Sequence, residues 1–236
     1  MAAAGTAGLG LGPGPALGLG LGMEARLVVA CEVGDLAAVQ RLLERGADAA
    51  TCDNSPLRWA AEGGHTDVVR LLLALSAAHR VSPGARDNEA LRSAAEGGHA
   101  ATVRLLLELP EVSGVDPAAR SNEALIMAAL NGHAAIVRML MALPQSRGVD
   151  PSAEDYAAVR GAASGGHEAA LRWLLASGRP GVPAAVLGRL ENPAVVQAAY
   201  AAAHWDNRGN MVLLRNMHRA RLRAERMHER TKRSGF

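Results

Sequence analysis

The chain has 236 residues, of which 49% are hydrophobic but only 3% aromatic, with a single phenylalanine at Phe236. A core built from Ala, Leu and Val suits closely packed helices and excludes an aromatic-rich β-sandwich. The formal net charge of +2 hides an asymmetry, because residues 208–236 hold nine Arg or Lys against two acids, +7, which leaves −5 on residues 1–207. A mildly acidic body with a basic tail follows, and a uniformly basic surface is excluded.

In chain order, residues 1–22 carry no charged side chain and include eight Gly and two Pro. They lack the basic start of a signal peptide and the continuous apolar run of a spanning helix, so residues 1–23 are expected to form a disordered leader. A cleaved targeting peptide is the alternative for this segment.

Self-similarity begins after it. AAEGGHTDVVRLLL starts at Ala60, AAEGGHAATVRLLL at Ala94, AALNGHAAIVRMLM at Ala128 and AASGGHEAALRWLL at Ala162, at one constant interval. A weaker copy, ACEVGDLAAVQRLL, starts at Ala30. A period of about 34 residues marks a solenoid whose units lean on their neighbours.

Within a unit, Leu57, Ala60 and Ala61 make one apolar stripe at helical spacing, and Val68, Leu71, Leu72 and Leu75 make a second. Gly63, Gly64 and His65 separate them, since glycine reaches positive φ and ends the first helix. Each unit is thus a helical hairpin, and about three or more are needed before their core is continuous. Leu109 to Asn122 and Leu143 to Asp155, rich in Gly, Pro and turn formers, read as projecting loops. Ser55 followed by Pro56 fits an N-cap and N1 proline, and Asn88 and Asn122 are expected to cap the next two helices.

SPLRWAAEGGHTDVVRLLL from Ser55 and EALRSAAEGGHAATVRLLL from Glu89 resemble the ankyrin repeat, which reads roughly TPLHxAAxxGHxxVVxLLL. The resemblance covers about residues 24–178 and implies an all-α, ankyrin-type solenoid of about five stacked helix-turn-helix units. Residues 179–207 fit the repeat badly and are expected to cap the stack, with Trp205 near Ala201, Ala202 and Ala203. Residues 208–236 are then a basic tail, helical or disordered. The family's Thr is replaced by Ser55, Glu89, Glu123 and Ala157, and its first His by Arg58, Arg92, Ile126 and Arg160. Asp53, Asp87, Ser121 and Asp155 stand where the family often has glycine. The family's hydrogen-bond bracing and regular β-hairpin fingers are therefore in question.

His65, His99, His133 and His167 recur at equal spacing, but equivalent atoms of stacked helices lie about 8–10 Å apart, too far for two imidazoles to share a zinc ion at about 2 Å each. The resemblance assigns them to the inter-helix turn. Arg70, Arg104, Arg138 and Arg172 share one helical phase and read as a solvated face, the alternative being a column of phosphate contacts. In the tail, Met217, Leu222 and Met227 mark one side of a helix. Binding of nucleic acid, an acidic membrane or an import receptor stands beside a fraying terminal helix with the i,i+4 pairs Glu225–Arg221 and Glu229–Arg233.

No nucleophile elbow, phosphate loop, HExxH or catalytic carboxylate pair occurs. Two cysteines, Cys31 and Cys52, make neither a disulfide framework nor a zinc set. No catalytic, cofactor or metal site is expected. The resemblance implies a binding module that holds partners through loop tips and variable positions of the first helices. By position these are Thr51, Cys52, Asn54, Trp59 and Glu62, then Arg86, Asn88, Ser93 and Glu96, then Arg120, Asn122, Met127, Leu130 and Asn131, then Glu154, Tyr156, Gly161 and Ser164. The expected partner-binding set is Trp59, Arg86, Asn88, Arg120, Asn122, Met127 and Tyr156, chosen for the residue types enriched at interfaces and for the loop edge. The expected function is a monomeric, non-catalytic adaptor or scaffold of the cytoplasm or nucleus. The alternative is a nucleic-acid-associated protein tethered by the basic tail.

Overall fold

A computed structural model describes residues 22–75, 80–176 and 186. Almost all of the expected leader, the capping region with Trp205 (Val186 apart) and the whole basic tail lie outside the described residues.

Among the described residues ten α-helices run in sequence as five antiparallel pairs: α1 (Met23–Glu32) with α2 (Leu36–Glu44), α3 (Thr51–Glu62) with α4 (Thr66–Ala74), α5 (Ala85–Glu96) with α6 (Ala100–Leu107), α7 (Ala119–Leu130) with α8 (Ala134–Met141), and α9 (Ala153–Ser164) with α10 (Glu168–Ala176). Among the described residues there is no strand. The odd-numbered helices pack on one another as an inner layer and the even-numbered ones as an outer layer. One continuous core lies between the layers.

The pairs turn where the glycines and histidine stand. Gly64 has φ +69°, its N–H donates to the Ala61 carbonyl at 3.1 Å, and the His65 N–H reaches back to the Ala60 carbonyl at 2.9 Å. That double bond pattern is a Schellman stop, which a left-handed glycine favours. The His99, His133 and His167 amides make the equivalent reach to Ala94, Ala128 and Ala162. The inner helices touch through alanine pairs (Ala60–Ala61, Ala94–Ala95, Ala128–Ala129, Ala162–Ala163), all wholly buried. Buried Leu57, Leu91, Leu125 and Leu106 fill the space between layers, each contributing about 1.5–3 kcal/mol relative to exposure. Thr102, wholly buried in the outer layer, satisfies its hydroxyl against Thr66 Oγ1 at 2.9 Å.

The inner helices begin in a way the sequence did not announce. Residues 52–54, 86–88, 120–122 and 154–156 all have φ between 50° and 67°, so α3, α5, α7 and α9, though not α1, each open with one left-handed turn. A bond from the third residue's N–H to the carbonyl four residues earlier closes it, as from Asn88 to Gly84 at 3.1 Å and from Asn122 to Ala118 at 3.0 Å. Left-handed residues with a Cβ cost about 1–2 kcal/mol each, and two side chains offset that. Arg58 donates to the Cys52 and Asp53 carbonyls, Arg92 to Arg86 and Asp87, and Arg160 to Glu154. Asn54, Asn88 and Asn122 each accept, through Oδ1, the backbone N–H of Ser82, Asp116 and Asp150 in the next loop, at 2.7–2.8 Å. The 120–122 turn has only its Asn, because Ile126 replaces the Arg. The 154–156 turn has only its Arg, because Tyr156 replaces the Asn.

Expected N-caps at Ser55, Asn88 and Asn122 are thereby corrected. None makes a side-chain bond to its own helix start. The Asn88 and Asn122 carboxamides are committed to an amide of the following loop and are not free to cap locally. Ser55 is buried, and Asn54 holds the loop amide in that repeat. The replaced Thr and His positions, however, form a new brace between units: Arg58 pairs with Glu89 at 2.8 Å and Arg92 with Glu123 at 2.7 Å. Where Ile126 removes the cation, Ala157 removes the carboxylate.

Candidate functional site

The solvent-facing side of the inner layer and the loop edge above it form the candidate site. Helical spacing puts Glu89, Ser93 and Glu96 along one face of α5, and Arg86 of the left-handed turn leans onto Glu89 at its start. The repeat register reproduces that face as Cys52, Trp59 and Glu62 in α3, where Ser55 at the Glu89 position is buried, as Arg120, Glu123, Met127 and Leu130 in α7, and as Glu154, Ala157, Gly161 and Ser164 in α9. The grid is anchored by the histidines. Nε2 of His65, His99, His133 and His167 bonds the carbonyl oxygens of Glu32, Glu62, Glu96 and Leu130 at 2.8–2.9 Å. A carbonyl can only accept, so Nε2 carries the proton. Each imidazole also lies against the preceding unit's left-handed glycine (Gly34, Gly64, Gly98 and Gly132), so closely that a Cβ there would overlap the ring.

Of the expected partner-binding residues, Trp59 is 38% exposed. Arg86 and Arg120 stand out from the loop edge, yet each leans on a carboxylate: Arg86 on Glu89 at 4.0 Å and Arg120 on Glu123 at 3.2 Å. Two guanidiniums thus share each carboxylate, Arg58 with Arg86 on Glu89 and Arg92 with Arg120 on Glu123, leaving one surplus positive charge per cluster. Met127 and Tyr156 are half-buried, and Tyr156 packs against the core. Asn88 and Asn122 are corrected: both are 6% exposed, with their oxygens occupied by loop amides, so burial withholds them from a partner.

Leu130, carried over by position but outside the chosen set, is 45% exposed. The set also missed Glu32, which aligning the weak Ala30 copy with the Ala60 copy places beside Glu62. Val112, 94% exposed at a loop tip, had no sequence signal beyond its turn-rich setting.

On the outer layer Arg70, Arg104, Arg138 and Arg172 are all exposed, as a solvated face requires. Arg172 pairs with Glu168 at 3.0 Å, and the Arg138 guanidinium lies 5.8 Å from the centroid of Trp173. Burial pushes the Cys31 thiol up to about 12, so it stays protonated and unreactive at neutral pH. Cys52 is exposed. Among the described residues no group of His, Cys, Asp and Glu is placed to hold a metal, and no helix is long and apolar enough to cross a membrane.

Stacked hairpins with one repeated turn geometry and a variable inner face define an all-α repeat solenoid. Residues 27–121 match the family described as Ankyrin repeats (3 copies). Units α7–α8 and α9–α10 continue the same geometry beyond most of the matched residues. A 2-5A-dependent ribonuclease of Mus musculus is 41% identical over 58 residues, which are 23% of this chain and 8% of that protein. The likeness therefore spans less than a tenth of the ribonuclease. Ankyrin repeats are in general non-catalytic modules of protein–protein interaction.

Proposed function

We propose that the chain is a non-catalytic adaptor that seats a partner protein on the concave inner face and the loop edge. The observation that carries this is the contrast between positions. Core sites repeat nearly unchanged from unit to unit, whereas the outward sites read Trp59, Ser93, Met127 and Gly161, then Glu62, Glu96, Leu130 and Ser164. Packing fixes the first group and leaves the second free to be shaped for binding. Trp59, Arg86, Arg120, Met127 and Tyr156 are the proposed contact residues, with Leu130 added and Asn88 and Asn122 withdrawn.

The test is capture from lysate at moderate and high salt. It compares the full chain, a chain ending at Asn207, a chain with Trp59, Arg86, Arg120 and Tyr156 changed to Ala, and a chain with Arg70, Arg104 and Arg138 changed to Ala. A protein lost only with the first set of substitutions supports the adaptor. Recovery of nucleic acid alone, salt-sensitive and dependent on residues 208–236, replaces it with the tethered nucleic-acid reading.

A further inference from the structure

The histidine bonds define one more property of the concave face. Because Glu32, Glu62, Glu96 and Leu130 each supply the carbonyl that receives the next unit's imidazole, they occupy equivalent places, one per unit, in a single column. All four are exposed. None of the three carboxylates enters an ion pair among the described residues. Each is the last residue of its helix, where the macrodipole disfavours negative charge. The column thus carries charge against the local preference and, among the described residues, without an ion-pair partner.

The rest of the face orients it. Arg86 and Arg120 stand at the loop edge among exposed Asp53, Asp87 and Asp116, about 15 Å from the column by the rise of the helix between. The acidic column forms the opposite edge. At its Leu130 end the chemistry turns apolar, with Met127 one helical turn away and Gly161 of the next unit alongside. A Cβ at Gly161 would lie 3.3 Å from Leu130 Cα, Cβ and Cδ1, so glycine is what leaves this flank of Leu130 uncovered.

We propose that this edge binds an extended basic segment of a partner protein, in which three cationic side chains recur at every third residue and an apolar side chain holds the next third position. The proposal rests on the adaptor reading and names the chemistry of its partner. Stacked helices lie about 8–10 Å apart, and in a polyproline II chain three residues make one turn of about 9 Å. Side chains at i, i+3 and i+6 therefore leave one side at the spacing of Glu96, Glu62 and Glu32, and the fourth meets Leu130. About ten residues of such a chain cover the column, whereas an α-helix would need about seven residues per step and roughly twice the length in all.

The experiment uses the full chain and fluorescein-labelled Leu-Pro-Gly-Arg-Pro-Gly-Arg-Pro-Gly-Arg, together with its reversed sequence so that either chain direction registers, read by fluorescence anisotropy. One of the two is expected to bind saturably at low salt. Changing Glu32, Glu62 and Glu96 together to Gln should weaken it at least about tenfold, Leu130→Ser should weaken it a few-fold, and changing Arg70 and Arg104 to Ala should not, with circular dichroism checking that each variant is folded. The idea is overturned by no saturable binding, by equal binding to the Gln variant, or by equal or tighter binding of a peptide with three consecutive arginines or with arginines at every seventh residue. A failed peptide beside a partner that is lost with the Trp59, Arg86, Arg120 and Tyr156 substitutions sinks this inference alone. A peptide that behaves as stated while those substitutions release nothing sinks the adaptor reading instead.

Discussion

The imidazole of His99 touches two glycines and a carbonyl, and those three contacts explain the GGH signature atom by atom. Gly64 needs its positive φ for the helix stop and its missing side chain for the ring, whereas Gly46, at φ +90°, has nothing within 4 Å of the place a Cβ would take. Gly46→Ala should therefore cost only the conformational penalty, about 1 kcal/mol. Gly64→Ala adds a steric clash with a ring fixed by its own hydrogen bond and should cost about 2–4 kcal/mol. Urea melts of the two variants check this, and equal midpoints would show that the ring moves aside freely. The turn glycines were legible in the sequence from the need to reverse the chain every unit, and the histidines' place in the turn from the resemblance to the ankyrin repeat. The atom on which each ring rests was not, since it belongs to the preceding unit, a full repeat away.

At the scale of the helix, the left-handed turn and its braces are the departure from simple capping rules. Ser55, Asn88 and Asn122 have the composition of N-caps, and local preference alone would use them so. Tertiary demand overrides it: the loop amides of Ser82, Asp116 and Asp150 need acceptors, and the carboxamides at 54, 88 and 122 supply them. The Arg–Glu brace shows the same dependence on distant partners. Arg92 and Glu123 are only 12% and 26% exposed, so a single change strands a charge in partial burial. The Ile126 and Ala157 positions show the alternative solution. Arg92→Ile and Glu123→Ala should each destabilise, and the double variant should cost less than their sum, by a coupling of about 0.5–3 kcal/mol. A double-mutant cycle in urea measures it, and strict additivity would mean that the pair contributes nothing as a pair. The sequence displays both substituted columns but not their relation, because the two members of each brace belong to different repeats.

Across the whole molecule, stability is set by neighbour contacts along one axis. Amides of α5 and α7, which have repeats on both sides, should outlast those of α1 and α2 in hydrogen exchange, with protection falling toward the α1–α2 end. Uniform protection from α1 to α7 would indicate one globular cooperative unit instead. The architecture was legible from the constant period and the paired stripes together with the GGH break and the long Gly/Pro loop that alternate between them. The candidate face was legible only in part: variable outward positions could be counted off by register, but burial of Asn88 and Asn122 and exposure of Leu130 depend on contacts between units.

Every interlock described for the histidines joins a residue to its counterpart one period away, His133 to Gly98 and to the Glu96 carbonyl in the same manner as His99 to Gly64 and to the Glu62 carbonyl. Excision of one full period, Ala85 to Ala118, would bring His133 onto Gly64 and the Glu62 carbonyl, regenerating the junction rather than destroying it. The Arg58–Glu89 brace would likewise be re-formed between Arg58 and Glu123. Unequal recombination between such units can therefore lengthen or shorten the array without inventing a new interface, and each change of copy number alters the order of outward side chains while leaving the joints intact.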